Sequence, residues 1–282
     1  MNILAIDIGG THVKILATEQ NERREFESGP KLTPQSMAAS VKKLAKDWKY
    51  ELVSIGYPGL VRFNRPIAEP RNLAKGWVGF NFEGAFGRPV RIINDAAMQA
   101  LGSYRGGTML FLGLGTGLGS AMVVEGVVVP FELGQLSHKK GTLEDYLGLR
   151  GLQRLGKKKW RQEVAYCIGR LVPALHLDDV VLGGGNVKKL KTLPEGCRGG
   201  DNVNAFLGGF RLWEDDRLQS AHCRIGAGGA RKGGAIAGAP IAQTGAWVHS
   251  RAIPPALSGQ RQPVRRALLR CPCESRGPAR LL

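Results

Sequence analysis

The chain has no apolar run long enough to span a bilayer, and no charged segment followed by an apolar core precedes Asp7. A soluble, unprocessed, cytoplasmic protein is the expectation, with no membrane partner. Cysteine is scarce and odd in number: Cys167, Cys197, Cys223, Cys271 and Cys273 offer no even framework of the secreted kind, which suits a reducing compartment. Cys271 and Cys273 form an isolated C-x-C without a second ligand pair, so zinc is not expected there. Acidic residues are almost missing from the last quarter, where residues 217–282 hold Glu274 alone against 11 Lys and Arg. The same stretch has no Phe, Tyr, Met, Asn or Asp and is dense in Gly, Ala, Pro and Arg. So little bulky apolar surface cannot offset the entropy of ordering, and a disordered basic tail is expected. It reads either as an anion-binding arm or as a passive extension, a frame-shifted one included. Without aromatic interleaving or a module signature, it predicts no specific nucleic-acid partner.

The rest of the chain is ordinary by contrast. Residues 1–216 carry 29 Lys and Arg against 22 Asp and Glu, and their length suffices for one large domain or two modest ones with a real core. Near the start, "ILAIDIGGTHVK" drives Asp7 out of an apolar, β-branched run into Gly9, Gly10 and Thr11, and the apolar pattern resumes at Val13. The pattern predicts two strands joined by a glycine turn. Glycines without Cβ let backbone N–H groups approach a bulky anion such as phosphate, although an ordinary hairpin turn has the same signature.

Further on, "TPQSMAASVKKLAKDW" predicts an amphipathic helix from Thr33, and "ELVSIGYPGL" a buried strand. "RPVRIINDAAMQALGSY" predicts a strand running into a helix, with Asn94 and Asp95 at the junction. The carboxyl end of a strand is where ligands gather in open α/β sheets, while an Asp at such a place also serves as a plain helix cap. "TMLFLGLGTGLGSAMVVEGVVV" then repeats the strand, glycine turn, strand layout, with Thr116 amid Gly113, Gly115, Gly117 and Gly119. Two such loops could grip one phosphate chain from opposite sides. Residues 141–156 and 157–175 predict helices, "DDVVLGGGN" a strand ending in Gly183, Gly184 and Gly185, and "NVNAFLGGFRLWE" a last amphipathic helix. The three glycines fit either close approach of a nucleoside or a tight turn.

Two motifs fail on inspection. Gly151 to Lys157 spells G-x-x-x-x-G-K, yet Lys158 stands where a Ser or Thr would hold magnesium and no strand precedes it. The Gly113 loop departs from G-x-G-x-x-G and leads into a strand, so a dinucleotide site is not indicated.

The ordered set "DIGGTHVK", "GYPG", "INDAAMQALG", "LGLGTGLGSAMVVEG", "ELGQ", "GTLEDYLG" and "VVLGGG" resembles bacterial sugar kinases of the ROK family (repressor, open reading frame, kinase), above all their polyphosphate/ATP glucokinases. The resemblance runs from Met1 to about Glu214. It implies an α/β, two-lobed actin/hexokinase-like (ribonuclease H-like) fold with a central cleft. Residues 1–96 would form one lobe, rejoined by a final helix at 202–214, and residues 97–201 the other, with 217–282 as the basic tail.

The resemblance also implies roles. Asp95 matches the family's catalytic base, taking a proton from a hexose hydroxyl as it attacks phosphorus. Asn94, Gly59, Glu132, Gln135 and Glu144 match sugar-binding positions. Gly9, Gly10, Thr11 and Lys14, with Gly115, Thr116, Gly117, Gly183, Gly184 and Gly185, match the phosphate and nucleotide positions. For Lys14 a solvated strand-edge role is the plain alternative. Asp7 would hold Mg2+ through water. ATP or polyphosphate would be the donor, glucose the first acceptor, and mannose, fructose or an N-acetylhexosamine the alternatives; a homodimer is left open. Gln135 stands where the family usually has histidine, and "SHKKGT" lacks the family's cysteine cluster, with Thr142 in place of a cysteine. No structural zinc site is therefore expected, and His138 reads as a lone surface histidine. The six residues ahead of the first glycine loop are too few for the helix-turn-helix of the family's repressors. A kinase is thus the expectation, and a sugar-responsive regulator the alternative.

Overall fold

Strands β1 (Ile3–Ile8), β2 (His12–Ala17) and β3 (Arg24–Glu27) form an antiparallel meander, in which β1 is buried throughout while β2 alternates, with Val13, Ile15 and Ala17 inside. Helix α1 (Pro34–Leu44) starts at Thr33, whose side chain accepts from the Ser36 N–H while Ser36 caps back, and Pro34 sits where no N–H is missed. It buries Met37, Ala38 and Val41. Strand β4 (Leu52–Tyr57) then pairs parallel to β1. A small hairpin of β5 (Val61–Arg62) and β6 (Arg65–Pro66) and the short helix α2 (Phe82–Phe86) lead to β7 (Val90–Asn94), parallel to β4. The first sheet has the order β3-β2-β1-β4-β7. This computed structural model describes residues 1–201 and 203–214; the predicted basic tail, 217–282, lies outside the described residues.

After helix α3 (Asp95–Ser103) the same plan recurs. Strands β8 (Thr108–Leu114), β9 (Leu118–Val124) and β10 (Val127–Pro130) form an antiparallel meander. A short 3-10 turn (Leu133–Gln135), the hairpin of β11 (Ser137–His138) and β12 (Gly141–Thr142), and helices α4 (Leu143–Leu147) and α5 (Leu149–Ala174) follow. Strand β13 (Asp179–Gly183) returns parallel to β8, and β14 (Cys197–Gly199) parallel to β13. The second sheet is therefore ordered β10-β9-β8-β13-β14, matching the first strand for strand in order and direction. Helix α6 (Asn204–Arg211) ends the described chain.

Helices α3 and α6 fill the space between the sheets. Helix α3 lies against β8, β9 and β10 on one side and β4 and β7 on the other, and α6 packs on α3, β1 and β4. Their crossing is backbone on backbone: a Cβ at Gly102 would stand 1.8 Å from the Asn204 carbonyl oxygen, and one at Gly208 would stand 1.8 Å from that of Met98. Buried Ser54 donates to the Gly209 carbonyl at 2.5 Å and accepts from Trp213 Nε1 at 2.9 Å, fastening α6 to the first sheet.

One expectation needs correction. The stretch 141–156, read as a single helix, breaks at Gly148, whose φ is −74° and ψ −175°. There the backbone passes so near the second glycine turn that a Cβ would lie 2.8 Å from the Glu144 carbonyl oxygen and 3.2 Å from that of Thr116. The expected boundary between 156 and 157 does exist, as a non-helical Gly156 inside α5.

Candidate functional site

Each sheet ends in a glycine bend, and both bends are built alike. In the first, between β1 and β2, the Gly9 N–H donates to the His12 carbonyl at 3.0 Å. The Gly9 carbonyl accepts from Ser28 Oγ at 2.6 Å and the Thr11 carbonyl from the Ser28 N–H at 2.9 Å. In the second, between β8 and β9, the Gly115 carbonyl accepts from the Leu149 N–H at 3.1 Å and from Asn186 Nδ2 at 2.9 Å. Carbonyls are thus tied back into the fold. Among the described residues, no acceptor meets the N–H groups of Gly10, Thr11, Thr116 or Gly117. Unpaired N–H groups on an exposed bend form an anion-binding concavity.

The glycines differ in what they do. At Gly184, φ is +86° and a Cβ would lie 2.6 Å from the Leu114 carbonyl oxygen; at Gly183 it would lie 2.5 Å from the Phe111 ring. At both, the Cβ position is taken up by close packing under the second bend. Gly185 has open space around its Cβ position. Gly184→Ala should cost about 2 kcal/mol or more and loosen the second bend, since both φ and the facing backbone resist a side chain. A lowered urea midpoint with a raised donor KM checks this.

Between the bends runs a line of carboxylates. Asp7, 9% exposed, is the last residue but one of β1, and burial pushes its carboxyl up, partly offset by Lys14, its cross-strand partner. Asp95 opens α3; burial, then the nearby Asp7 and, more weakly, Glu132 push it up to about 7, against a hydrogen bond from the Ala96 N–H. Glu132 is raised by burial and by Glu144, with Arg71 opposing. Glu144 accepts from the Leu118 N–H at 3.2 Å and from Arg71 and Arg150, each at 3.3 Å. The line therefore starts at the first bend and ends on the second. Gly56, paired with Asp7 on β4, has no room for a Cβ: Met98 Cε would stand 2.5 Å away and the Asp95 Cα 3.5 Å. That glycine lets α3 bring Asp95 over the strand ends.

The helix cap is Asn94, whose Oδ1 accepts from the Ala97 N–H at 3.1 Å while Nδ2 donates to the Gly59 carbonyl at 3.1 Å. Asp95 is left free of the capping duty that was its plain alternative. Gln135 stands exposed on the 3-10 turn. Sequence reasoning missed three residues. Arg71 and Asn72 lie between the bends: Asn72 Nδ2 would be 3.6 Å from a Cβ at Gly10, and Arg71 reaches Glu144. Arg150 holds the same carboxylate from α5. Nothing local in "EPRNLAKGW" signals this. His138, read as a lone surface histidine, is neither: its side chain is 14% exposed and contacts Glu163 at 2.6 Å.

A duplicated β-meander sheet, with helices packed between the copies and a glycine bend on each, is the actin/hexokinase-like fold. Residues 3–134 match the ROK family. The N-acetylmannosamine kinase of Salmonella typhimurium (strain LT2) is 30% identical over 207 residues, covering 67% of this chain and 68% of the relative. The chain belongs to the ROK family. Among solved structures, the inorganic polyphosphate/ATP-glucomannokinase from Arthrobacter sp. strain KM is similar with TM-score 0.65 and 22% identity, over 78% of this chain and 99% of that one. The ROK hexokinase from Thermus thermophilus is similar with TM-score 0.59 and 20% identity, over 76% and 100%. No helix among the described residues is long and apolar enough to cross a membrane.

Proposed function

We propose that the chain transfers a phosphoryl group from ATP or polyphosphate to the 6-hydroxyl of a hexose, with Asp95 as general base. The observation that carries this is the pair of bends with unpaired N–H groups at the two ends of a carboxylate line centred on Asp95. The sugar's O6 attacks the terminal phosphorus, the bond to the bridging oxygen breaks, and the hydroxyl proton passes to Asp95. The free N–H groups of Gly10, Thr11, Thr116 and Gly117 stabilise the phosphate oxygens as charge redistributes. Lys14 lies opposite Asp7 and adds positive charge on that side.

The buried carboxylate of Asp7, close to Asp95 and in no cluster of three metal-ligating side chains among the described residues, fits a hydrated Mg2+ held through water. When bound, that ion would neutralise phosphate charge. Glu132 and Glu144 would accept from sugar hydroxyls. Asn94, with its cap and its bond to Gly59 in place, keeps one N–H to donate.

Glucose is the first acceptor, on the order and spelling of the motifs from "INDAAMQALG" to "GTLEDYLG". N-acetylmannosamine is the second reading, favoured by the 30% identity to kinases of that name. A coupled assay of the full chain over glucose, mannose, fructose and N-acetylmannosamine, each with ATP and with polyphosphate, tests both. Turnover of one acceptor at least tenfold above the others assigns the sugar. No turnover with any pair would place the chain with sugar-binding regulators.

A further inference from the structure

Outside this site, one cluster brings three metal-ligating side chains together. His138 on β11 and Glu163 and Cys167 on α5 place Nε2, a carboxylate oxygen and Sγ within 4.8 Å of one another. Their positions are 25 and 29 residues apart from His138 in sequence but four apart on the helix, so Glu163 and Cys167 share a face. Nε2 lies 2.6 Å from Glu163 Oε1 and 3.8 Å from Cys167 Sγ. The ligand atoms are sheltered: side-chain exposure is 14% for His138 and 11% for Glu163, and Cys167 is 3% exposed.

Tetrahedral zinc with ordinary bond lengths needs an N···S edge of about 3.6 Å and an N···O edge of about 3.3 Å. The first is nearly met, and the second asks the Glu163 carboxylate to retreat by less than an ångström. Lys139 Nζ holds the other carboxylate oxygen at 2.5 Å and would stay there, orienting the ligand from outside. The His138 and Tyr146 rings meet in a T-shaped pair with centroids 5.0 Å apart, which restricts rotation of the imidazole.

We propose that His138, Glu163 and Cys167 bind a zinc ion, with water as fourth ligand, and that the ion staples the β11–β12 hairpin to α5. The donor set of one imidazole, one thiolate and one carboxylate suits zinc among the common divalent ions. On binding, the Cys167 thiol gives its proton to solvent and His138 Nε2 offers its lone pair with the ring hydrogen on Nδ1, so affinity falls toward acid pH. These are not the cysteines whose loss made a zinc site unexpected. One ligand comes from the hairpin that replaces them and two from a helix. The stapled hairpin joins Glu132 to Glu144 in the chain, so the ion would stiffen both candidate sugar contacts, yet its binding does not depend on the kinase reading.

The test is titration of chelator-treated full-length protein with Zn2+ and, for spectroscopy, Co2+. One equivalent with Kd on the order of a micromolar or tighter is expected, with a thiolate-to-cobalt charge-transfer band and a raised Tm. The band and the equivalent should disappear in Cys167→Ser and in His138→Ala, and persist in the Cys271→Ser/Cys273→Ser double variant. His138→Ala, on a short hairpin, keeps the test available if Cys167→Ser misfolds. No bound metal, or binding retained in His138→Ala, or binding abolished by the Cys271/Cys273 change, would overturn the assignment.

Discussion

Asp95→Asn is expected to slow hexose phosphorylation by a factor on the order of a hundred or more while leaving the sugar KM nearly unchanged. The asparagine keeps the shape and the hydrogen bond from Ala96 but cannot take the proton. In the unaltered chain, kcat/KM should rise with pH through about 7 as Asp95 ionises, and that limb should vanish in the variant. Unchanged turnover would remove Asp95 from its role.

The same substitution has a stability consequence of opposite sign. A carboxyl whose folded pKa stands near 7 and whose unfolded value is about 3.9 binds more protons folded than unfolded between those pH values. Its contribution to stability is therefore full at low pH and is lost as pH rises toward 7. Ligand-free Asp95→Asn should be more stable than the parent at pH 8, by up to about 4 kcal/mol, with the gap closing toward pH 4. Urea unfolding at the two pH values, without added metal, measures it.

Gly208→Ala should be strongly damaging for so small a change. A methyl group 1.8 Å from a carbonyl oxygen cannot be absorbed by a side-chain shift, because the obstacle is the backbone of α3. Either the α3–α6 crossing opens, carrying Asp95 with it, or the helices separate, at a cost on the order of 3 kcal/mol or more. Gly102→Ala should act alike from the other side. Gly169→Ala is the control, exposed on α5 with nothing within 4 Å of the new carbon, and should be neutral or slightly stabilising. Equal urea midpoints for Gly208→Ala and Gly169→Ala would contradict the packing described.

What the sequence disclosed was local. "ILAIDIGG" and "LGLGTGLG" announce their bends because strand periodicity and glycine occur within a dozen residues, and "IINDAA" announces a strand-to-helix junction. Which residue caps that helix was beyond it, since Asn94 and Asp95 are both good caps and only the bond to Gly59, 35 residues away, decides. The break at Gly148 arises from its approach to Thr116, a contact no helical periodicity reports. Arg71 on Glu144 and His138 on Glu163 are encounters of loops with helices, and Ser54 with Trp213 spans 159 positions. Side chains that meet only after the sheets are assembled leave no trace in spacing.

The most direct measurement is a structure of the full chain bound to the phosphorylated sugar's parent hexose and a non-hydrolysable ATP analogue with Mg2+. The terminal phosphate should lie between the N–H groups of Gly10 and Thr11 on one side and Thr116 and Gly117 on the other, with the sugar's hydroxymethyl oxygen hydrogen-bonded to Asp95. A donor bound against one bend alone, or a sugar whose hydroxymethyl points away from Asp95, would contradict the account.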